Sequence, residues 1–174
     1  VWQQAWQFNA PLRAVQTGSI VSEATGLPLN AWIDAHEEGG LYLDDEETGQ
    51  RLIQPGMTRS HFQKHFPQLR LPDDLGENGW WGRPFEEPEE RMRRAGIFMR
   101  DLLERHGKTE DRVAVISHGG FFCLLMQSIF QTGAGQRLWF VMNNTAITRV
   151  DFKEDSIELV YMNRTEHLPA NLIT

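Results

Sequence analysis

The sequence predicts an α/β domain, and the stretch from residue 112 to 126 (RVAVISHGGFFCLLM) is the main reason. Residues 112–116 form a short apolar run rich in β-branched side chains, which is typical of a strand buried on both faces. Ser117, His118 and two glycines interrupt that run, and residues 121–130 resume it at a length that suits a buried helix. At 174 residues the chain is most simply one domain, residues 1–174, with a sizeable core.

The first segments of the chain favour helix. Residues 1–10 resemble the last turns of a helix, and Pro11 suits the first position of the next one. We expect that next helix over residues 13–25, with Gly26 just beyond its end. Its apolar residues fall roughly on one face: Ala14, Val21 and Ala24.

A short strand is expected over residues 27–33, confined to its later residues by Pro28. It leads into a polar segment, Asp34 to Gly40, at the strand's end. Residues 41–85 are the least regular part of the chain, and a connection of that length usually forms a lid or a binding insertion. Within it, Thr58 is a good N-cap for a short helix that ends before Pro67.

The clearest helix spans residues 88–106, and Gly107 ends it. Its apolar stripe consists of Met92, Ala95, Met99, Leu102 and Leu103. Three further strands are expected over residues 138–142, 146–152 and 156–161. The last two favour a hairpin around residues 153–155.

Composition restricts the classes of partner. A formal charge of −7 and a pI near 5.3 argue against nucleic acid or an anionic membrane surface. A single cysteine, Cys123, cannot form an internal disulfide, which fits a reducing, cytoplasmic setting with a buried thiol. No apolar stretch is long enough to span a bilayer.

His118 is the first candidate for chemistry. It lies at the predicted carboxyl end of a strand, where open α/β sheets bind ligands. The free N–H groups that open the next helix favour an anion, and Gly119 and Gly120 allow close approach to the backbone.

Glu37 and Arg13 are the next candidates. Glu37 follows a strand and precedes two glycines, so its carboxyl group can enter a pocket, where apolar walls would raise its pKa for proton donation. The planar guanidinium of Arg13, at the start of a helix, suits a phosphate. The alternatives without a catalytic or binding role are a solvated Glu37–Glu38 pair and a surface ion pair for Arg13.

Other chemistries are weaker. Ser117 has no G-x-S-x-G context, and an adjacent His118 cannot act as its base. An esterase could use His118-Gly119-Gly120 as an oxyanion hole, but no serine has a nucleophile elbow. His61 and His65 have metal-ligand spacing without an evident third ligand, and residues 133–135 are too short a match to a dinucleotide fingerprint.

Five segments together resemble the histidine phosphatase superfamily, in its phosphoglycerate-mutase-like branch. They occur in the family's order and read APLRAVQTG (10–18), LPLNAWIDAHEEGG (27–40), VAVISHGGF (113–121), NNTAITRVDF (143–152) and MNRTEHLP (162–169). The resemblance implies a three-layer α/β/α sandwich with a mostly parallel central sheet. It also implies phosphoryl transfer through a phosphohistidine, with no metal and no other cofactor.

The resemblance also implies roles for individual residues. His118 corresponds to the second pocket histidine, which donates to the transferred phosphoryl group and shares the phosphate site with Gly119. Arg13 corresponds to the arginine that neutralises phosphate charge, although its Ala-Pro-Leu-Arg segment is one residue shorter than usual. Glu37 corresponds to the acid that protonates the leaving oxygen.

The family's nucleophile, in an Arg-His-Gly motif, has no counterpart in this sequence, which begins at Val1. We expect that segment upstream, which would make the fold N-terminally incomplete here. The expected enzyme is a phosphatase or a phosphoglycerate mutase acting on a small phosphorylated substrate, and a homodimer is left open. The alternative is a phosphate-ligand or protein-binding module that lacks the nucleophile and catalyses nothing.

Overall fold

A computed structural model describes residues 10–132 and 138–174. The first helix, α1, spans Ala10–Thr25, and Gly26 follows it with a left-handed φ of +71°. The predicted helix is therefore confirmed, but its predicted apolar face is wrong, because Val21 and Ala24 are exposed. The packed side of α1 instead places Val15 against an apolar cluster of Phe62, Leu69 and Leu75.

Strand β1 covers only Leu29–Asn30 and pairs in parallel with β4, Leu69–Arg70. The strand predicted over residues 27–33 is thus much shorter than expected. The chain leaves the sheet after the Ala31 N–H donates to the Arg70 carbonyl at 2.9 Å. A 3-10 turn, Ile33–Ala35, follows at once.

The segment from residue 41 to 85 is more regular than predicted. It contains an antiparallel hairpin of β2, Tyr42–Asp44, and β3, Arg51–Ile53. Helix α2, Arg59–His65, follows and is capped by Thr58, whose side chain accepts the His61 N–H, as the sequence predicts. Strand β4 then closes the small parallel pair.

Two helices form the main core. Helix α3 spans Pro88–His106, and helix α4 spans Gly119–Ile129, close to the predicted bounds of both. Glu87 and Glu90 form a capping box at the start of α3. Of the predicted stripe on α3, Ala95 and Met99 are buried whereas Leu103 is exposed. The buried side chains where the helices pack are Ala95, Phe98, Met99, Phe121 and Leu124.

The C-terminal hairpin is confirmed. Strand β5, Ile147–Phe152, pairs antiparallel with β6, Ile157–Arg164, and the Lys153 N–H donates to the Ser156 carbonyl at 2.8 Å to close the turn. A last 3-10 turn spans Ala170–Leu172. None of the helices in the described ranges is long and apolar enough to cross a membrane.

The predicted strands over residues 112–116 and 138–142 are wrong, because neither segment pairs with a strand in the described part of the chain. Val113 and Val115, expected to be buried on both faces, are 47% and 42% exposed. A strand requires a neighbouring strand for its N–H and C=O groups, and β-branched residues cannot supply one.

The described residues form three separate two-stranded sheets, so the architecture is mixed α/β, without the predicted central sheet of a three-layer sandwich. The predictions for residues 1–9 and for the Gly-rich turn at 133–135 lie outside the described residues.

Candidate active site

His118 is the residue that precedes helix α4. Its backbone is extended, with φ −129° and ψ 157°, and its carbonyl accepts the Phe122 N–H at 2.8 Å, the first bond of the helix. Burial, followed by the positive charge of Arg13, lowers the pKa of His118 from 6.5 to about 4. The imidazole is therefore neutral at pH 7, with one nitrogen able to donate and the other able to accept.

Glu37 meets the same end of helix α4. One of its carboxylate oxygens, Oε1, accepts the Phe121 N–H at 3.1 Å and the Glu38 N–H at 2.9 Å. Burial, with a smaller effect from the like charge of Glu38, raises the pKa of Glu37, although the two hydrogen bonds and the charge of Arg13 act in the opposite direction. A carboxyl group with a raised pKa keeps its proton closer to neutral pH, as a general acid requires.

Gly120 makes this close approach possible. A Cβ atom at position 120 would lie 2.5 Å from Glu37 Oε1 and 2.8 Å from Glu38 Cγ. Ser117, on the other side of His118, donates its hydroxyl to the Ala35 carbonyl. The turn before α4 and the segment that carries Glu37 are therefore joined on both sides of His118.

Arg13 lies in the first turns of α1, and its side chain is exposed. Its positive charge lowers the pKa of both His118 and Glu37, so the guanidinium is within electrostatic reach of both groups. Helix α1 is held near them by close packing at Gly18, where a Cβ atom would lie 2.8 Å from Leu29 Cδ1 and 3.6 Å from Ile116 Cδ1. The structure therefore brings the three predicted site residues to one region.

Sequence reasoning missed a buried ion pair behind Glu37. Arg94 Nε and Nη2 each lie 2.8 Å from one carboxylate oxygen of Glu86, in a bidentate pair. Arg94 Nη1 donates to the carbonyls of Asp34 at 2.6 Å and His36 at 3.0 Å. Helical spacing could have indicated this position, because Arg94 is four residues before the buried Phe98 on α3.

His36, beside Glu37, is fully packed rather than available for chemistry. Its Nδ1–H donates to the Glu37 carbonyl at 2.7 Å, and its ring meets Trp81 edge to face with centroids 4.7 Å apart. Its Nε2 has no hydrogen-bond partner among the described residues and lies 3.6 Å from Glu86 Oε1. Burial first, and the charge of Arg94 second, lower the pKa of His36 to about 3.

The structure does not strengthen the metal-site hypothesis for His61 and His65. Among residues 10–132 and 138–174, no group of three histidine, cysteine or acidic side chains could hold a metal. The rings of His61 and His65 lie 4.5 Å apart without a third ligand in that part of the chain. Gly119 is exposed at the start of α4, and a Cβ atom there would meet nothing within 4 Å, so no side-chain clash requires glycine at this position.

One comparison with known proteins gives a match. The family model described as histidine phosphatase superfamily (branch 1) matches residues 10–165. This range includes Arg13, Glu37 and His118 together with the six strands found among the described residues. Neither the curated proteins nor the solved structures include a match to the chain.

Proposed function

The chain belongs to the histidine phosphatase superfamily, and we propose that it supplies most of a site for phosphoryl transfer from a small phosphomonoester through a phosphohistidine. The observation that carries this proposal is the meeting of the Glu37 carboxyl group and His118 at the start of α4, within reach of the charge of Arg13. A proton donor, a neutral imidazole and a fixed cation are the groups that this reaction needs around its phosphate.

Arg13 and His118 act on the transferred group. The guanidinium of Arg13 neutralises charge on the equatorial oxygens, which grows as the phosphoryl group loosens from both its neighbours. Neutral His118 donates one N–H to the same oxygens. The backbone N–H of Gly119, which has no acceptor within its helix, adds a donor at the positive end of α4.

Glu37 acts on the leaving group. As the bond between phosphorus and the ester oxygen breaks and a bond to the nucleophilic imidazole forms, protonated Glu37 gives its proton to the departing oxygen. In the second half-reaction, the Glu37 carboxylate takes a proton from the water that attacks the phosphohistidine. Inorganic phosphate then leaves, and both histidine and Glu37 return to their starting states.

The nucleophilic histidine is proposed to come from a segment upstream of this chain. His36 is an unsuitable nucleophile, because it is buried and its Nε2 faces the Glu86 carboxylate at 3.6 Å. Residues 112–116 run beside the site without a strand partner among the described residues, and Val113 and Val115 expose apolar side chains there. A strand carrying Arg-His-Gly would pair with this open segment and end next to His118.

The insertion at residues 41–85 is proposed as a wall or lid of the same site. The rings of Trp81 and Phe85 pack against Gly40 and Gly39, where side chains of any other residue would collide with them. The Glu86 N–H also donates to the Gly39 carbonyl at 3.1 Å. These contacts place one end of the insertion directly after Glu37 and Glu38, where exclusion of water would favour transfer over loss of the phosphoryl group.

The test is a trapping experiment on the complete protein. Incubation with a panel of radiolabelled phosphomonoesters, followed by alkaline quench, should leave label on a histidine, and the label should be lost in acid because a P–N bond is acid-labile. The pattern of turnover across the panel names the substrate class. Phosphate binding without any labelled histidine or turnover would instead favour the non-catalytic binding module.

A further inference from the structure

We propose that Arg94 and Glu86 are positioning residues that hold Glu37 in the orientation from which it protonates the leaving oxygen. The inference rests on the proposed function, because it concerns the acid of that reaction. Arg94 and Glu86 are both buried. Both act through the backbone on which Glu37 is carried.

Arg94 contacts the segment that precedes Glu37 and also the side chain of Phe121, the residue whose N–H orients Glu37. Through Nη1 it donates to the carbonyls of Asp34 and His36, which lie three residues and one residue before Glu37. Its guanidinium carbon also lies 4.6 Å from the ring centroid of Phe121, whose N–H binds Glu37 Oε1. One planar side chain therefore determines the spacing between the Glu37 segment and the start of α4.

Glu86 fixes the guanidinium plane in turn. It accepts from Nε and Nη2, and in that orientation Nη1 meets the two carbonyls. Both side chains are buried, with exposed fractions of 5% for Arg94 and 9% for Glu86. A lysine carries one point-like ammonium in place of this fork and cannot hold two carboxylate oxygens and two carbonyls in one plane.

The influence of Arg94 on Glu37 is one of position. Glu38 and Arg13 are the charged groups that act on the pKa of Glu37, whereas Arg94 acts on that of His36. Loss of the fork should therefore impair proton donation while leaving the phosphate-binding groups in place.

The experiment uses the complete protein and two esters that share a phosphoryl group. An alkyl phosphomonoester releases an alkoxide that needs a proton, whereas p-nitrophenyl phosphate releases a phenolate that leaves without one. Arg94→Lys should lower kcat/KM for the alkyl ester by about tenfold or more, a part of the full effect of general-acid catalysis. Its kcat/KM for the nitrophenyl ester should change by less than about threefold. This ratio reports only the steps up to release of the leaving group, so the later part of Glu37 in the attack of water does not affect it.

Arg93→Lys is the matched control, because Arg93 is the exposed neighbour on the same helix and should leave both rates unchanged. In a Glu37→Gln background, Arg94→Lys should have no further effect on the alkyl ester, since the acid it positions is already gone. Equal losses on both esters, or additive losses in the double variant, would overturn the proposal.

Two further outcomes separate this inference from the proposed function. If Glu37→Gln shows no preference between the esters, Glu37 is not the acid, and both proposals fail. If Glu37→Gln lowers the rate with the alkyl ester more than the rate with the nitrophenyl ester and Arg94→Lys does not, only the positioning role fails. Should Arg94→Lys not fold, Glu86→Asp decides the matter: it keeps the charge pair but draws Arg94 away from the two carbonyls, and the same selectivity is expected.

Discussion

Glu37 and Phe121 lie 84 positions apart in the chain, and the carboxylate of the first accepts the backbone N–H of the second at 3.1 Å. This bond joins the segment after β1 to the first turn of α4, directly behind His118. The Phe121 N–H, one of the N–H groups at the start of α4, therefore donates to a carboxyl group whose pKa is raised by burial. The candidate acid and the candidate phosphate ligand thus lie at the same end of helix α4.

The first prediction concerns His118. Replacing His118 by Ala removes a donor to the transferred oxygens and should lower turnover of a phosphomonoester by about tenfold or more, because the loss of one such donor costs on the order of a hundredfold in comparable sites. Steady-state kinetics of the complete protein give the value. The matched control is His65→Ala, an exposed histidine on α2. Turnover of the His118 variant equal to wild type would refute the role.

The second prediction concerns the charge of His118. Its pKa of about 4 reflects burial and the nearby cation Arg13. A bound phosphate or vanadate anion brings the opposite charge and should raise that pKa by about one unit or more. An NMR titration of the imidazole with and without saturating inorganic phosphate measures it. An unchanged titration curve would mean that the anion binds elsewhere.

The third prediction concerns Gly120. A methyl group there would collide with Glu37 Oε1 and Glu38 Cγ, so Gly120→Ala should displace the Glu37 carboxyl group and destabilise the fold by about 1–3 kcal/mol. Gly96→Ala on α3 is the control, because its Cβ meets nothing within 4 Å and should stabilise the helix by up to about 1 kcal/mol. Thermal unfolding and turnover should separate the two variants. Equal stability for both would show that Glu37 has room to move.

The fourth prediction concerns stability in acid. The pKa of His36 is lowered from 6.5 to about 3. At pH values between these two, His36 is therefore protonated in the unfolded chain but neutral in the folded chain. The free energy of unfolding should therefore fall as the pH drops below 6.5. The contribution of His36 between pH 7 and pH 5 should be about 2 kcal/mol.

Urea unfolding at both pH values tests this, with His36→Gln compared to wild type. The variant should have a smaller loss of stability between pH 7 and pH 5, whatever its absolute stability. His65→Gln is the control, because His65 is exposed and should keep the wild-type difference. An equal pH dependence in wild type and His36→Gln would contradict a neutral, buried His36.

The helices could be predicted because their signals are local. The apolar spacing, the Pro and Glu residues at the start of α3 and the Thr58 cap all lie within a few residues of the turns that they stabilise. The hairpin of β5 and β6 is local for the same reason, since a short turn joins its strands. The bounds of these elements were accordingly close to those predicted.

Strands that depend on distant partners could not be predicted in this way. Residues 112–116 have the composition of a buried strand, yet no strand of the described chain lies beside them. The apolar pattern records a preference for burial, whereas pairing depends on what another segment brings. The central sheet expected from the resemblance remains a prediction for the same reason.

The sequence by itself determined the helices, the C-terminal hairpin, the family resemblance and the identity of three candidate residues, whose roles stay predictions. Only the tertiary structure decided that Arg13, Glu37 and His118 share one region, and that Arg94 and Glu86 form a buried pair behind them. The physical reason is the separation along the chain over which each kind of interaction acts. Caps, turns and periodicity act over one or two helical turns, whereas burial and the field of a distant guanidinium arise only when remote segments pack together.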